Sequence, residues 1–121
     1  MIRVFISQPI RGKTEEEILS VREKAIEDVK KTMDDESVEV IDSYFEDYNP
    51  DNGCVPLKYL AKSLELLADA DVVYFAKGWK DARGCRIEHE AAVNYGIMSI
   101  EVIEEGADPW HSKNISYPKA N

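Results

Sequence analysis

Two polar segments of the chain contain the residues that could do chemistry. Each follows a short apolar run and mixes hydrogen-bond donors with glycine. The first runs from Ser7 to Lys13 and the second from Lys77 to Cys85. The candidate binding residues in and beside them are Ser7, Gln8, Arg11, Gly12, Trp79, Arg83, Gly84 and Arg86. Arginine side chains and backbone N–H groups of this kind can bind a small anion such as a phosphate.

Glu88 is the carboxylate that follows the second segment, and it is the candidate catalytic residue. We expect it in the opening turn of a helix, where the helix dipole and nearby arginines keep it ionised at neutral pH. An ionised carboxylate suits a nucleophile or an electrostatic stabiliser better than a general acid. The alternative is an acidic residue that merely favours the positive end of a helix. Spacing alone does not choose between these interpretations.

Other residues allow both a functional and a structural interpretation. Trp79 could form a wall on which a base stacks, or it could pack at the edge of its loop. Asp42, at the end of a predicted strand, could supply a second carboxylate or could begin a turn. His89 and His111 have no third ligand at metal spacing, so no metal site is expected. The motifs GxGxxG, Walker A, GxSxG and HExxH are absent, and no cofactor is expected.

The elements that must position these residues alternate between strand and helix. Strands are predicted at 2–6, 38–41, 72–76 and 97–103, and helices from Thr14 to between Asp34 and Glu36, from Leu57 to about Ala68, and from Arg86 to Tyr95. The order predicts a flavodoxin-like three-layer α/β/α fold with a four- or five-stranded, mostly parallel sheet of order 2-1-3-4. The ligand crevice then lies beyond the carboxyl ends of the first and third strands, between the two polar segments.

Local signals mark the ends of two of these helices. The pattern T-x-x-E from Thr14 to Glu17 is a capping box, and Gly96 suits a helix C-terminus. The domain is predicted to cover 1–103, followed by an irregular tail over 104–121. Its apolar residues, Trp110, Ile115 and Tyr117, are expected to cover a sheet edge or a neighbouring chain.

Composition limits the class of protein. The chain has 121 residues, which fits one domain, and 15 Lys and Arg against 24 Asp and Glu. This acidic balance argues against polymeric nucleic acid and anionic membranes, but not against a single nucleotide. Apolar runs such as 72–76 are far shorter than the roughly 20 residues of a membrane-spanning helix. Cys54 and Cys85 form no CxxC motif and no signal peptide is recognised, so a cytoplasmic location is expected.

Three stretches of the chain resemble a known superfamily. They are VFISQPIRG at 4–12, ADVV at 70–73, and the stretch from GW at 78–79 through RGCRIEHEAA at 83–92. They resemble the nucleoside 2-deoxyribosyltransferase superfamily, and most closely its DUF4406 branch. The likeness extends over roughly residues 2 to 103 and keeps the order of the motifs.

The resemblance implies a flavodoxin-like enzyme that cleaves or exchanges the N-glycosidic bond of deoxynucleosides or their 5′-monophosphates. Glu88 matches the glutamate that attacks the anomeric carbon, and water or a second base then resolves the ester. The loop from Ser7 to Gly12 would contact base and sugar, while the Gly84 amide with Arg83 or Arg86 would suit a 5′-phosphate. The resemblance also implies a homodimer or a higher homo-oligomer in which a neighbour completes each pocket.

Two positions depart from the superfamily pattern. Phe5 stands where many active members have a tyrosine whose hydroxyl orients the nucleophile. Ser63 stands where many have an aspartate that contacts the sugar or assists proton transfer. An alternative is therefore a catalytically inactive nucleotide-binding or sensing module of the same fold. A further alternative is a structural protein that assembles through its tail.

Overall fold

Five strands and three helices make up the part of the chain that the computed structural model describes, which is residues 1–43, 48–103 and 113–116. The strands are β1 (Ile2–Ser7), β2 (Val38–Ile41), β3 (Val72–Phe75), β4 (Met98–Val102) and β5 (Lys113–Ser116). The helices are α1 (Glu15–Met33), α2 (Val55–Leu67) and α3 (Arg83–Asn94), with a short 3₁₀ turn at Trp79–Asp81. None of the described helices has the length and apolar character needed to cross a membrane.

The strands form one sheet in the order β2-β1-β3-β4-β5. The first four are parallel, which confirms the predicted α/β class and the order 2-1-3-4. The centre of the sheet is β1 and β3, whose register places Val4 beside Val72 and Ser7 beside Phe75. Every residue of β3 is buried, because helices cover both faces of a parallel sheet and leave no polar side.

The alternation of side chains along β1 sends successive residues to opposite faces. Val4 and Ile6 pack on one face against Ala25 and Val29 of α1. Phe5 lies on the opposite face in a second core cluster with residues from α2, α3 and β3: Leu67, Val73, Phe75, Cys85 and Ala92. Ser7 continues this second face, so the last residue of β1 is directed towards α3. The period of the strand thereby places a hydroxyl group under that helix.

The helix ends follow their sequence signals in part. Thr14 Oγ1 accepts from the Glu17 N–H at 3.1 Å while the Glu17 carboxylate accepts from the Thr14 N–H at 3.3 Å, which confirms the capping box. Gly96 follows the C-cap of α3 with φ of 72°, a left-handed conformation that glycine adopts without strain. The start of α3 differs from its prediction. Helix α3 begins at Arg83, three residues before the predicted start at Arg86. Glycine has a low helix propensity, and Gly84 nevertheless lies within the helix.

The C-terminal tail also differs from its prediction, since residues 113–116 form β5. This strand pairs antiparallel with β4 and sets Ile115 opposite Ile100, where Ile115 packs on the core. The segment KNIS contains one apolar residue, Ile115, and a single apolar residue cannot show the alternation that is typical of a strand. The sequence pattern therefore did not predict β5. Pairing satisfies the backbone groups along the edge of β4, which is a tertiary requirement. Trp110 and Tyr117 lie outside the described residues.

Candidate functional site

A cavity of about 600 Å³ opens at the carboxyl ends of β1 and β3. Its walls are the loop after β1, one side of α2 and the start of α3. This position is the crevice that the strand order predicts, and the volume is typical of a small-molecule site. The sequence-predicted residues that line it are Gln8, Arg11, Ser63, Arg83, Gly84, Arg86 and Glu88.

Glu88 contributes a buried carboxyl group to this cavity. Its side chain is on α3, and the residue is only 7% exposed. Ser7 Oγ donates a hydrogen bond of 2.7 Å to Glu88 Oε1. Ser7 itself is buried behind Glu88 and does not line the cavity. The last residue of a central strand therefore orients the one carboxyl group that is buried in the cavity wall.

Burial raises the pKa of Glu88 from its ordinary value of 4.5 to about 7, while the hydrogen bond from Ser7 acts in the opposite direction. The expectation that the helix dipole and nearby arginines keep Glu88 ionised at neutral pH is therefore wrong, because a pKa of about 7 leaves a large protonated fraction there. Because α3 begins at Arg83, Glu88 lies in its second turn, where the helix dipole has largely fallen off. Arg83 and Arg86 are exposed and form no ion pair with Glu88 in the described structure. Desolvation is consequently not offset by an ion pair.

Three guanidinium groups give the cavity a local excess of positive charge. Arg11, Arg83 and Arg86 line it, against the carboxyl groups of Asp81 and Glu88. The guanidinium of Arg86 also donates to the Lys80 carbonyl at 3.2 Å. This concentration of arginines is local, since the whole chain carries a formal charge of −9. An anionic ligand would therefore find its favourable field in this cavity.

The start of α3 adds backbone donors beside these arginines. Ala82 occupies the N-cap position and no side chain caps the helix there. The N–H groups of the first turn of an α-helix have no partner within the helix. Gly84 is in this turn, and a Cβ placed on it would meet only Leu60 Cδ1 at 4.0 Å. The fold thus has room for a larger residue at Gly84, so packing does not require a glycine at this position.

Residues of α2 form a wall that the sequence analysis missed. Pro56, Tyr59 and Leu60 line the cavity, and the Tyr59 hydroxyl donates to the Tyr48 carbonyl at 2.7 Å. The leucine spacing of α2 predicts a helix but does not show which of its residues line a cavity. Only the position of α2 beside β1 and β3 shows that Pro56, Tyr59 and Leu60 do so. Asp81 and Cys85, which also line the cavity, carried no motif of their own.

Gln8 is a predicted site residue held in a defined orientation. Its Nε2 donates to the Ile18 carbonyl of α1 at 3.1 Å, and its side chain is buried. Ser63 projects from the middle of α2 into the same cavity. The two residues approach the cavity from different elements, which the order of the chain alone does not show.

Besides Ser7, three predicted binding residues lie away from the cavity wall. Trp79 is 6% exposed and stacks on His89 with ring centroids 4.3 Å apart, so its indole belongs to the core. Asp42 forms an ion pair of 3.6 Å with Arg22 of α1 and does not line the crevice. Gly12 has φ of 79° in an exposed turn, where a Cβ would meet no atom within 4 Å. Core packing accounts for the position of Trp79, the ion pair with Arg22 for that of Asp42, and turn geometry for the glycine at position 12.

Of the two histidines, the structure describes only His89. His89 Nε2 pairs with Glu101 Oε1, which joins α3 to β4. Its ring also contacts Phe75 edge-on at 4.9 Å. His89 is therefore a packed, hydrogen-bonded residue in the described structure. His111 lies outside the described residues.

The raised pKa of Glu88 predicts a pH-dependent stability effect for Glu88→Gln. The folded protein holds the Glu88 proton more tightly than the unfolded chain, so wild type loses stability as pH rises from about 4.5 to 7. Above pH 7, Glu88→Gln should be more stable than wild type by roughly 3 kcal/mol, because the shift reflects about that free energy. Below pH 4.5 the difference should vanish. Urea unfolding at several pH values measures it.

Glu90→Gln is the matched control, since Glu90 is an exposed carboxylate on the same helix. It should change the unfolding free energy by less than about 0.5 kcal/mol at every pH. An equal stability of wild type and Glu88→Gln at pH 8 would contradict the raised pKa.

Comparison with known proteins places the chain in a family. Residues 2–101 match the family described as domain of unknown function DUF4406. No curated protein and no solved structure matches the chain significantly. The matched region contains β1 to β3, all three helices and every described residue that lines the cavity. The chain therefore belongs to the DUF4406 family.

Proposed function

We propose that this protein cleaves the N-glycosidic bond of a nucleoside or nucleotide, or transfers its deoxyribosyl group, with Glu88 as the nucleophile. The observation that carries the proposal is a buried carboxyl group in the cavity wall whose pKa is raised to about 7. A pKa near neutrality leaves a large ionised fraction at pH 7 and a carboxylate more basic than an ordinary one. Both properties suit nucleophilic attack.

The step would break one bond and form another at the same carbon. A Glu88 oxygen attacks the anomeric carbon of the sugar, and the bond to the base breaks with its electron pair leaving on the base nitrogen. The base takes a proton from water or from an acid in the cavity. Water or a second base then attacks the same carbon, and Glu88 leaves as a carboxylate. Two displacements in sequence replace one difficult displacement.

Ser7 supports this role for Glu88. In the resemblance to nucleoside 2-deoxyribosyltransferases, a tyrosine hydroxyl at the Phe5 position orients the nucleophile. Phe5 is buried and has no hydroxyl, but Ser7 lies two residues along on the same face of β1 and donates to Glu88. A hydroxyl from the same strand therefore reaches the same carboxyl group. This compensates for the absence of the tyrosine.

The cationic side of the cavity favours a phosphorylated substrate over a free nucleoside. Arg11, Arg83 and Arg86 provide guanidinium groups, and the start of α3 provides backbone N–H groups near Gly84. Helix N-termini with adjacent arginines bind phosphate through charge-assisted hydrogen bonds. The overall charge of −9 opposes a nucleic acid polymer, whose many phosphates would face the acidic remainder of the surface.

A second function, nucleotide binding without turnover, is favoured by Ser63. This residue lines the cavity where the resemblance places an aspartate that assists the reaction. A hydroxyl group cannot provide that carboxylate. In this alternative the arginines and α3 still bind the nucleotide, while Glu88 only shapes the pocket.

Release of free base tests the proposal. Wild type, Glu88→Gln and Glu90→Gln are incubated with deoxynucleosides, deoxynucleoside monophosphates, ribonucleotides and NAD, and bases are quantified by chromatography. Glu88→Gln should lose at least about a hundredfold in rate because a neutral amide is a poor nucleophile, and Glu90→Gln should retain wild-type activity. The wild-type rate should rise with pH through about 7 as Glu88 ionises.

Thermal-shift measurements with the same compounds separate the two functions. A nucleotide that raises the unfolding midpoint without base release favours the binding module. Failure of every compound to bind or react would refute both functions.

Gly84→Ala tests the phosphate site. A methyl group at Gly84 has room in the free protein, and Ala favours helix over Gly by about 0.5–1 kcal/mol, so stability should hold or rise. The methyl group should nevertheless obstruct an anion at the start of α3. Titration calorimetry should show at least about tenfold weaker binding of a nucleoside monophosphate, a loss of about 1.4 kcal/mol, with nucleoside binding unchanged. Equal losses for both ligands would contradict a phosphate at this position.

The outer face of α2 favours a homodimer. Leu67 is the one buried residue of this 13-residue helix, and Leu57 is 58% exposed beside Pro56 and Leu60 of the cavity wall. A second copy packed here would cover apolar surface and close the cavity. Light scattering at micromolar concentration should give twice the 13.8 kDa of one chain, and Leu57→Glu should reduce this to the monomer mass. A monomeric wild type would contradict this assembly.

A further inference from the structure

A second cavity lies beside the one that contains Glu88. Its volume is about 390 Å³, and side chains from the first two turns of α1 form one of its walls. We call it the α1 cavity, and the cavity of about 600 Å³ the Glu88 cavity. Both cavities are lined by Gln8, Pro9, Gly78 and Asp81. The two cavities therefore adjoin, and the proposed function uses only one of them.

The boundary between the cavities lies where the strand order of the sheet reverses, at the carboxyl ends of β1 and β3. Helix α1 packs on one face of the sheet, and α2 and α3 pack on the other. A ligand that crosses the boundary contacts both sides of the fold. Open α/β sheets bind dinucleotides across a crevice of this kind. The Glu88 cavity alone has the volume of a small-molecule site, so the α1 cavity provides space for a longer ligand.

Gln8 stands at this boundary with one end of its amide group held in place. The residue is only 9% exposed, and its Nε2 donates to the Ile18 carbonyl at 3.1 Å. A carbonyl oxygen only accepts, so the amide nitrogen must face Ile18 and the amide oxygen must be the other end. Gln8 Oε1 has no hydrogen-bond partner among the described residues. It can therefore accept a hydrogen bond from an N–H group of a ligand.

Cationic side chains occur on both sides of the boundary. Lys13 and Lys77 line the α1 cavity, and neither forms an ion pair within the described part of the chain. Together with the three arginines of the Glu88 cavity, they stand against the carboxyl groups of Glu17, Asp81 and Glu88. The Glu17 carboxylate is already engaged as part of the capping box of α1. This distribution of charge suits a ligand with more than one negative group.

The wall of the α1 cavity is also partly apolar. Pro9, Ile18 and Val21 line it. A chain of further phosphates would leave this apolar surface uncovered, whereas a planar base would cover it. A second nucleotide therefore matches the lining better than a longer phosphate chain does.

We propose that the two cavities together bind a dinucleotide, with one nucleotide in the Glu88 cavity and the other in the α1 cavity. The base of the second nucleotide lies on the apolar wall and donates to Gln8 Oε1, and its phosphate is bound by Lys13 and Lys77. The inference rests on the proposed function for the nucleotide class of the ligand. The chain lacks GxGxxG, so lysine and arginine side chains contact the phosphates in place of a glycine-rich turn.

Titration calorimetry on Glu88→Gln, which should not consume the ligand, tests the inference. Each of four nucleoside monophosphates is compared with the symmetrical dinucleoside pyrophosphate that contains it, and AMP is also compared with NAD. At least one dinucleotide should bind about tenfold or more tightly than its monophosphate. Adding Lys13→Ala and Lys77→Ala should weaken dinucleotide binding at least about tenfold, because charge-assisted hydrogen bonds are lost, and should change monophosphate binding less than about twofold.

The control for net charge adds Lys31→Ala and Lys62→Ala, which remove the same two charges outside both cavity walls. Binding of both ligand types should stay unchanged. A second variant, Val21→Phe, fills the α1 cavity with a larger side chain and should also weaken only dinucleotide binding. Leu19→Phe adds the same ring at an exposed position of α1 and should have no effect on binding. Matching thermal unfolding curves establish that the variants are folded.

The outcomes separate this inference from the proposed function. Equal affinities for every dinucleotide and its monophosphate, or a dinucleotide affinity that survives loss of both lysines, would overturn the two-cavity site and leave the proposed function intact. Dinucleotide binding that depends on the two lysines supports the inference even if wild type releases no base, because the titration needs no turnover. Failure of all these nucleotides to bind would overturn both.

Discussion

Glu88 is buried where the carboxyl end of β1 meets α3, and a carboxyl group in such a place requires a hydrogen-bond partner. Ser7 is that partner, through a hydrogen bond of 2.7 Å. The contact requires β1 to end at Ser7 with its side chain on the α3 face, and it requires α3 to begin early enough to bring its second turn over the strand. Strand period, sheet order and helix start are therefore coupled through one pair of side chains. The same burial that makes the partner necessary also raises the pKa of Glu88.

The site concentrates positive charge in an otherwise acidic protein. The acidic residues of the first turn of α1 satisfy its helix end, and Asp42 is paired with Arg22. In contrast, the start of α3 has no acidic residue in its first turn and no side-chain cap, and three arginines surround the cavity next to it. A helix end that is left without an acid and without a cap is suited to an external anion. This contrast between the acidic surface and the local positive charge supports the proposal that the ligand is a small anion and not a polymer.

Most of the fold could be predicted from local patterns. The apolar run of β3, the capping box at Thr14 and the glycine after α3 each correspond to a local physical cause, and each was found where it was predicted. The tail strand β5 could not be predicted, because its pairing depends on the free edge of β4 and not on a period in its own sequence. The start of α3 was missed because Gly84 is a poor helix former and yet lies within the helix.

The sequence by itself determined the α/β class, the strand order and the two loops that meet at the crevice, because hydrophobic period and chain connectivity restrict these features strongly. It also identified Glu88 as the candidate catalytic carboxyl group. Only the tertiary structure decided that Trp79 packs in the core, that Asp42 pairs with Arg22, and that Ser7 donates to Glu88. The tertiary structure also determined how far Glu88 is ionised, because burial of its carboxyl group raises the pKa. Burial and distance to a partner are properties of the packed chain, and these two quantities set both the pKa of an acid and the contacts of a side chain.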